Sequence, residues 1–379
     1  MRPRPVRRMG RTNSSTAGRR YRRARELRRS RRGVVAVVGT LLALLVFFTL
    51  FGIFLTQYVP LWMTDNESQL VAQASTSFAQ FKSGVDSQVA LGGPQTYGSP
   101  FVISSQGVPL IAQPTQGTLV FLPSTCPSPG SGGSFYTSSN GVSTPHANYG
   151  QPTNPAYCVF ANITMSVGPG GVSHYSQSIA TGTLQLVLPN RYYTPENFYY
   201  EDDGVIQSQS TGYQLMTFPP PLSITNIAGN ISVQDSLLQL YGNASSVVGQ
   251  GSEEVYSSLH YSQDVTSTGL DGTPFTFTFE IGTQYPCAWN SFLYTALTTS
   301  GVPAYSVTTH MGYNLSATFG TAAGALLTST PISSPSAFTG DCFNTNGATT
   351  ILSFSIANDV TFANVYLGGV QVGIGVGSG

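Results

Sequence analysis

The chain has 379 residues, enough for two average domains or one large β domain. Its formal net charge of zero joins two opposite parts: 14 arginines against Glu26 alone in residues 1–33, then only Lys82 and Arg191 against 15 acids in the rest. This excludes an ordinary soluble globular chain, in which about a quarter of the residues are charged and the signs are mixed.

The first segment, residues 1–33, is a basic cytoplasmic leader or tail. A run such as Arg19-Arg20-Tyr21-Arg22-Arg23 repels itself and has little apolar surface to bury. Such a run suits nucleic acid as well as a membrane surface, and the next segment decides for the membrane. Residues 34–59 hold no charge. At about 1.5 Å per residue they exceed the roughly 30 Å of a bilayer core, where a helix is the one single segment that satisfies its own backbone. Tyr58 and Trp62 stand at the far end, where amphipathic rings favour the interface. The arginines flank one side only. The expected topology is therefore single-pass in the cell membrane, with the N-terminus cytoplasmic and the C-terminal domain extracellular. Anionic lipid headgroups are the expected partner of the arginine tail, and nucleic acid is not.

Residues 60–91 continue as an amphipathic helix. Val71, Ala74, Phe78, Phe81, Val85 and Val89 recur at steps of three and four. Thr64 or Asp65 is placed to cap this helix, with Glu67 completing a capping box from Thr64, and Gly92-Gly93-Pro94 is placed to end it.

Three readings compete for the N-terminus. A cleaved secretory signal would find its nearest small-residue site at Ala72-Gln73-Ala74, well past the apolar span. A twin-arginine signal is suggested by Ser30-Arg31-Arg32-Gly33-Val34-Val35, whose apolar core is more hydrophobic than such signals carry. Third, Arg31-Arg32-Gly33 followed by Val34-Val35 resembles the class III signal of archaeal type IV pilins and archaellins. The resemblance implies that a prepilin peptidase cuts between Gly33 and Val34. It also implies that the apolar helix stays in the mature protein as an anchor, and that other pilin-like subunits are partners. Position 38, where bacterial pilins usually carry glutamate, is Val38.

Residues 92–379 form a β-rich extracellular domain with a possible subdivision near 190. Strand-like runs at 118–122, 183–188, 275–281 and 351–356 are separated by turns. Phe275 to Phe279 alternates aromatics with threonines. Residues 123–155 read as a polar loop. A short helix is expected over 287–299, burying Trp289, Phe292, Leu293 and Leu297. The fold class is thus α+β: a long N-terminal helix with a transmembrane and an amphipathic half, then a β-rich domain, sandwich-like, with one short helix. Asn190-Arg191-Tyr192-Tyr193, Tyr200-Glu201-Asp202-Asp203-Gly204, Phe218-Pro219-Pro220-Pro221, Cys287-Ala288-Trp289 and the strand around His310 to Phe319 are together similar to an uncharacterised family of archaeal pilin-like membrane proteins. That likeness implies a surface protein and supplies no catalytic residue.

Cys126, Cys158, Cys287 and Cys342 all follow the apolar span, and an even count in an exported segment favours two disulfides over a metal. Three pairings are open, and local closure favours Cys126–Cys158 with Cys287–Cys342. Asn66, Asn162, Asn230, Asn243 and Asn314 each begin an N-x-S/T sequon, a plausible glycan acceptor outside the membrane. Glu201-Asp202-Asp203 is the densest acidic cluster. It reads as a type I′ hairpin turn centred on Asp203-Gly204 ahead of a weak calcium site. His146, His174, His260 and His310 are scattered singly, and no nucleotide, hydrolase or metal motif occurs. No cofactor is expected. The sparse charge of the outer domain points to an acidic or otherwise harsh exterior. Two functions follow: a structural or adhesive cell-surface protein, pilin-like and possibly a filament subunit, or a membrane-anchored extracellular enzyme such as a hydrolase. The first is favoured.

Overall fold

The computed structural model describes residues 37–108, 111–124, 136–139, 142–145, 159–167, 173–249, 251–268, 273–301, 307–314 and 350–375. Two compact units meet between Trp62 and Met63. Helix α1 (Val37–Leu91) contributes to both.

In the first unit, one helix is long and apolar enough to cross a membrane, with a mean hydropathy of 2.6 and none of that window buried. Leu41, Leu45, Phe47 and Phe48 stand open on its surface. Its few hydroxyls turn back on the helix: Thr40 Oγ1 donates to the Val37 carbonyl at 2.8 Å and Thr49 Oγ1 to the Leu45 carbonyl at 2.6 Å. Such bonds satisfy these hydroxyls within the helix itself. Phe54–Tyr58 widens into a π turn, in which the Val59 N–H reaches the Phe54 carbonyl. Pro60 follows directly; it has no N–H to donate and its ring crowds the preceding turn.

In the second unit, the remainder of α1 is the amphipathic helix expected. Ala74, Phe78, Phe81 and Val85 are wholly buried, Leu70 and Val71 nearly so, and Val89 packs against them. It ends at Leu91, with Gly92 at φ +62° donating to the Gln88 and Val89 carbonyls. No capping box forms at Thr64, because the helix runs through this position without a break; Glu67 bonds elsewhere.

The strands among the described residues are β1 (Thr96–Val102), β2 (Thr118–Leu122), β3 (Tyr136–Ser139), β4 (Val142–Pro145), β5 (Val159–Ser166), β6 (Ser173–Thr181), β7 (Thr183–Leu188), β8 (Glu196–Glu201), β9 (Gly204–Gln209), β10 (Gln214–Phe218), β11 (Ser223–Ile227), β12 (Asn230–Tyr241), β13 (Ser245–Val248), β14 (Ser252–Thr268), β15 (Phe275–Thr283), β16 (Val307–Asn314) and β17 (Thr350–Ile374). Helix α2 (Pro286–Thr299) lies between β15 and β16, with proline in its first turn. The region 123–155 is not wholly loop, since β3 and β4 pair within it as a hairpin.

One sheet runs β1-β14-β17-β15-β5-β6, with β12, β16 and β11 attached; the other runs β10-β9-β8-β7-β2-β13. Long β17 is the spine of the first. Its opening half is flanked by β15 and β16, its closing half by β14 and, in parallel, by β12. Two apolar clusters result. Phe277, Phe279 and Ile281 of β15 join Trp289 and Leu293 of α2 in one, and buried phenylalanines alternate with half-buried threonines along β15 as the sequence implies. The other gathers Phe78 and Phe81 of α1 with Leu184 and Leu186 of β7, Phe198 and Tyr200 of β8, and Leu238 and Val370 of the first sheet. Residue 190 falls between β7 and β8, which pair directly.

Candidate functional site

The acidic sequence Glu201-Asp202-Asp203 sits at the turn between β8 and β9. Their ladder closes with Glu201 opposite Gly204, so the two central turn residues are Asp202 and Asp203. Both have positive φ, 43° and 60°, as a type I′ turn requires. The turn expected from sequence is therefore present but one residue earlier, because Gly204 is drawn into the strand pair. A side chain there would press on Met216 Sδ at 3.0 Å. Aspartate tolerates the left-handed region through its short polar side chain.

This turn is buried, unlike most hairpin tips. Glu201 is 0% exposed, Asp203 1%, and Asp235 of β12 is 7%. Asp203 is met by Lys82 Nζ of α1 at 2.8 Å, while Lys82 also bonds Asp86 at 3.2 Å. The Tyr200 hydroxyl donates to Asp203 at 2.7 Å and the Ser236 hydroxyl at 3.1 Å. Glu201 accepts from the Thr283 hydroxyl and, at 2.8 Å, from Trp289 Nε1. Asp202 accepts the Leu238 N–H at 3.4 Å, and Asp235 the Ser236 N–H at 2.9 Å. Among the described residues, Glu201 Oε2 and Asp235 Oδ2 are buried without a hydrogen-bond partner.

Burial dominates the proton affinities here. It raises Glu201 to about 7 against the lowering effect of Thr283 and Trp289. It raises Asp235 to about 8, with the Asp203 charge adding to the rise. Asp202 is pushed well above the usual carboxylate range by burial and then by Asp235. Asp203 also rises, to about 7, because burial outweighs the attraction of Lys82. The carboxyls of this cluster hold their protons to higher pH than solvated ones, with Lys82 offsetting part of the rise at Asp203. Among the described residues no group of three or more His, Cys, Asp or Glu is arranged to hold a metal ion.

A second polar centre lies at Glu67 of α1, which is fully buried. Its carboxylate accepts three successive backbone N–H groups, Arg191 at 3.1 Å and Tyr192 and Tyr193 each at 2.7 Å, and the Thr115 hydroxyl. Thr64 Oγ1 donates to the Tyr192 carbonyl at 3.3 Å, and Asn190 Nδ2 to the Thr194 carbonyl at 2.9 Å. The bonds accepted by the Glu67 carboxylate are charge-assisted, a class about twice as strong as neutral ones. They hold the 190–194 loop against the helix.

A cleft of about 300 Å³ is lined by Asn66, Gln69, Gln73, Ser104, Gln106 and Ser252 together with apolar neighbours; none of its lining residues titrates. It offers amides and hydroxyls, which suit hydrogen bonding to a neutral polar partner more than acid–base chemistry.

The remaining residues singled out from sequence are dispersed. Gly33, Val34, Cys126, Cys158 and Cys342 lie outside the described residues. Cys287, in the first turn of α2, is disulfide-bonded. Asn66 Nδ2 donates to the Gln106 carbonyl at 2.8 Å. Asn162 is buried in β5, its amide donating to Glu280 at 2.8 Å and accepting from Ser178. Asn230 and Asn243 are exposed. Asn314 ends β16, and its side chain is outside the described residues. Of the histidines, His260 is exposed and meets the Tyr241 ring edge-on at 5.7 Å.

Sequence reasoning missed Asp235, Lys82 and the role of Glu67. A signal for Asp235 exists: Ile231, Val233 and Leu237 are inward residues of β12, and Asp235 occupies the same alternating face. Lys82, the sole lysine, lies four residues after Phe78 beside the buried stripe of α1. No protein-family model, curated protein or solved structure matches this chain.

Proposed function

We propose that this protein is a membrane-anchored, pilin-like cell-surface protein with a structural or adhesive role, its outer domain built as a sandwich-like β fold on the second half of a long helix. The observation that carries the reading is the division of labour along α1. Its first part is charge-free and apolar on every side, and its second part is an amphipathic element whose inward face is core. Such a helix suits a subunit that stands in lipid and moves into an apolar filament core. Cys126–Cys158 and Cys287–Cys342 would staple the exported domain, and exposed Asn230 and Asn243 would be its most accessible glycan acceptors.

The decisive experiment is the N-terminal residue of the mature protein purified from its own membrane. Cutting after Gly33 removes all 14 arginines of the leader. Each would otherwise cost about 2.5–3.5 kcal/mol to draw into the bilayer centre. The expected N-terminus is Val34, and Gly33→Leu should leave a slower-migrating, uncut form in the membrane. A wild-type protein that keeps its arginine tail would rule out filament entry and leave a permanently anchored surface domain.

A further inference from the structure

Outside the leader the chain has only two basic side chains besides its histidines, Lys82 and Arg191. Lys82 is enclosed: its side chain is 12% exposed and makes both ion pairs found among the described residues. Arg191 is exposed, and it begins a short exposed run with Tyr192, 44% exposed, and Tyr193, 36% exposed. Two exposed tyrosine rings stand beside this lone exposed cation, on a backbone pinned from beneath. Glu67 takes the N–H of all three residues, and these inward bonds leave the three side chains outward.

The place of this loop is set by the chain. Thr64 and Glu67, which bind it, follow Trp62 by two and five residues, and the apolar span ends just before them. The strand ladder extends the same edge. Leu188 pairs with Glu196 and Glu196 with Gln209, so the 210–213 turn, with Tyr213 50% exposed, lies at the same end of the sheet as the 190–194 loop.

We propose that the 190–194 loop is an interfacial foot that rests on the outer surface of the bilayer. Tyr192 and Tyr193 enter the headgroup layer and Arg191 pairs with lipid phosphate. The partner follows from chemistry. Tyrosine rings have an apolar body and a polar tip and settle where water meets lipid, and the guanidinium fork matches phosphate oxygens. Beyond the leader charge is sparse and its balance is negative, 15 acids against Lys82 and Arg191, so little else there favours an anionic surface. Arg191 is the exposed permanent cation that can face it. The foot would set the orientation of the domain above the membrane. The proposal rests on the reading of residues 34–59 as a membrane anchor.

Photo-crosslinking on the full-length protein in lipid nanodiscs tests it. A benzophenone amino acid is placed at Tyr192, at Tyr193 in a second variant, at Trp62 to report the anchor, and at Ile227 as a control. Ile227 lies on the β11–β12 turn of the other sheet and is 73% exposed. Near-ultraviolet circular dichroism confirms that each variant is folded. Positions 192 and 193 should form lipid adducts at least fivefold above position 227. In nanodiscs of phosphatidylglycerol, Arg191→Gln should cut the adduct at 192 by about fivefold, the effect of one basic residue at an anionic surface. In nanodiscs of phosphatidylcholine the cut should be smaller. Adducts at Trp62 with none above background at 192 and 193 would overturn the foot and leave the anchor intact. Adducts at none of the three would remove the anchor and the foot together. Adducts at 192 unaffected by Arg191→Gln in both lipids would overturn the phosphate contact.

Discussion

A carboxyl group taken out of water keeps its proton to higher pH, and Glu201, Asp202 and Asp235 are in this position with Lys82 directed to Asp203 instead. The sign for stability follows. In the unfolded chain these groups release their protons near pH 4; in the fold Glu201 does so at about 7 and Asp235 at about 8. Their contribution is complete below about pH 4 and declines as pH rises through 7 to 8. Each unit of difference is worth about 1.4 kcal/mol, and a domain of this size loses about 2–4 °C in Tm per kcal/mol. The full-length protein in detergent should therefore melt at a higher temperature at pH 4.5 than at pH 8.5. Asp235→Asn, which keeps the shape without the charge, should raise the Tm at pH 8.5 and flatten the profile. A Tm that climbs with pH would contradict this account.

The two parts of α1 answer to different surroundings, and single substitutions should separate them. Phe78 lies in the middle of an aromatic group, 5.0 Å from the Phe101 ring and 5.7 Å from Phe198, and is wholly buried. Phe78→Ala removes that packing and leaves a cavity, at a cost of about 3–5 kcal/mol. Leu45 is 61% exposed on the membrane-length part of the helix. Leu45→Ala should leave the unfolding free energy of the second unit unchanged within about 0.5 kcal/mol. Equilibrium denaturation followed by near-ultraviolet circular dichroism measures both. Equal losses from the two substitutions would show that the helix is one cooperative element, not two.

At the scale of the whole molecule, the unequal placement of basic residues should fix orientation. Protease added to intact cells should digest residues 92–379 and spare the arginine tail; protection of the outer domain would reverse the topology. Non-reducing peptide mapping of the released domain should link Cys287 to Cys342 and Cys126 to Cys158. Closing loops of these lengths stabilises by about 3–4 kcal/mol each. Crossed links would replace the local pairing.

Sequence alone determined whatever depends on neighbours along the chain. The apolar span, the 3.6-residue stripe from Val71 to Val85, the β2 and β7 strands and the Phe275–Phe279 alternation are all local patterns, and the fold carries each of them. The type I′ turn was legible to within one residue, because turn chemistry is local while the last ladder pair, Glu201 opposite Gly204, depends on the partner strand. Tertiary structure decided the rest. A capping box at Thr64 and Glu67 is a sound local reading, yet Glu67 instead gathers N–H groups more than a hundred residues away, because the helix does not start there. The acidic turn reads as a hairpin turn from sequence, and only the fold shows β12 and α1 closing over it and bringing Asp235 and Lys82 to the same place. Burial is a property of the assembled fold, and burial converts these carboxylates from surface charges into proton-holding groups.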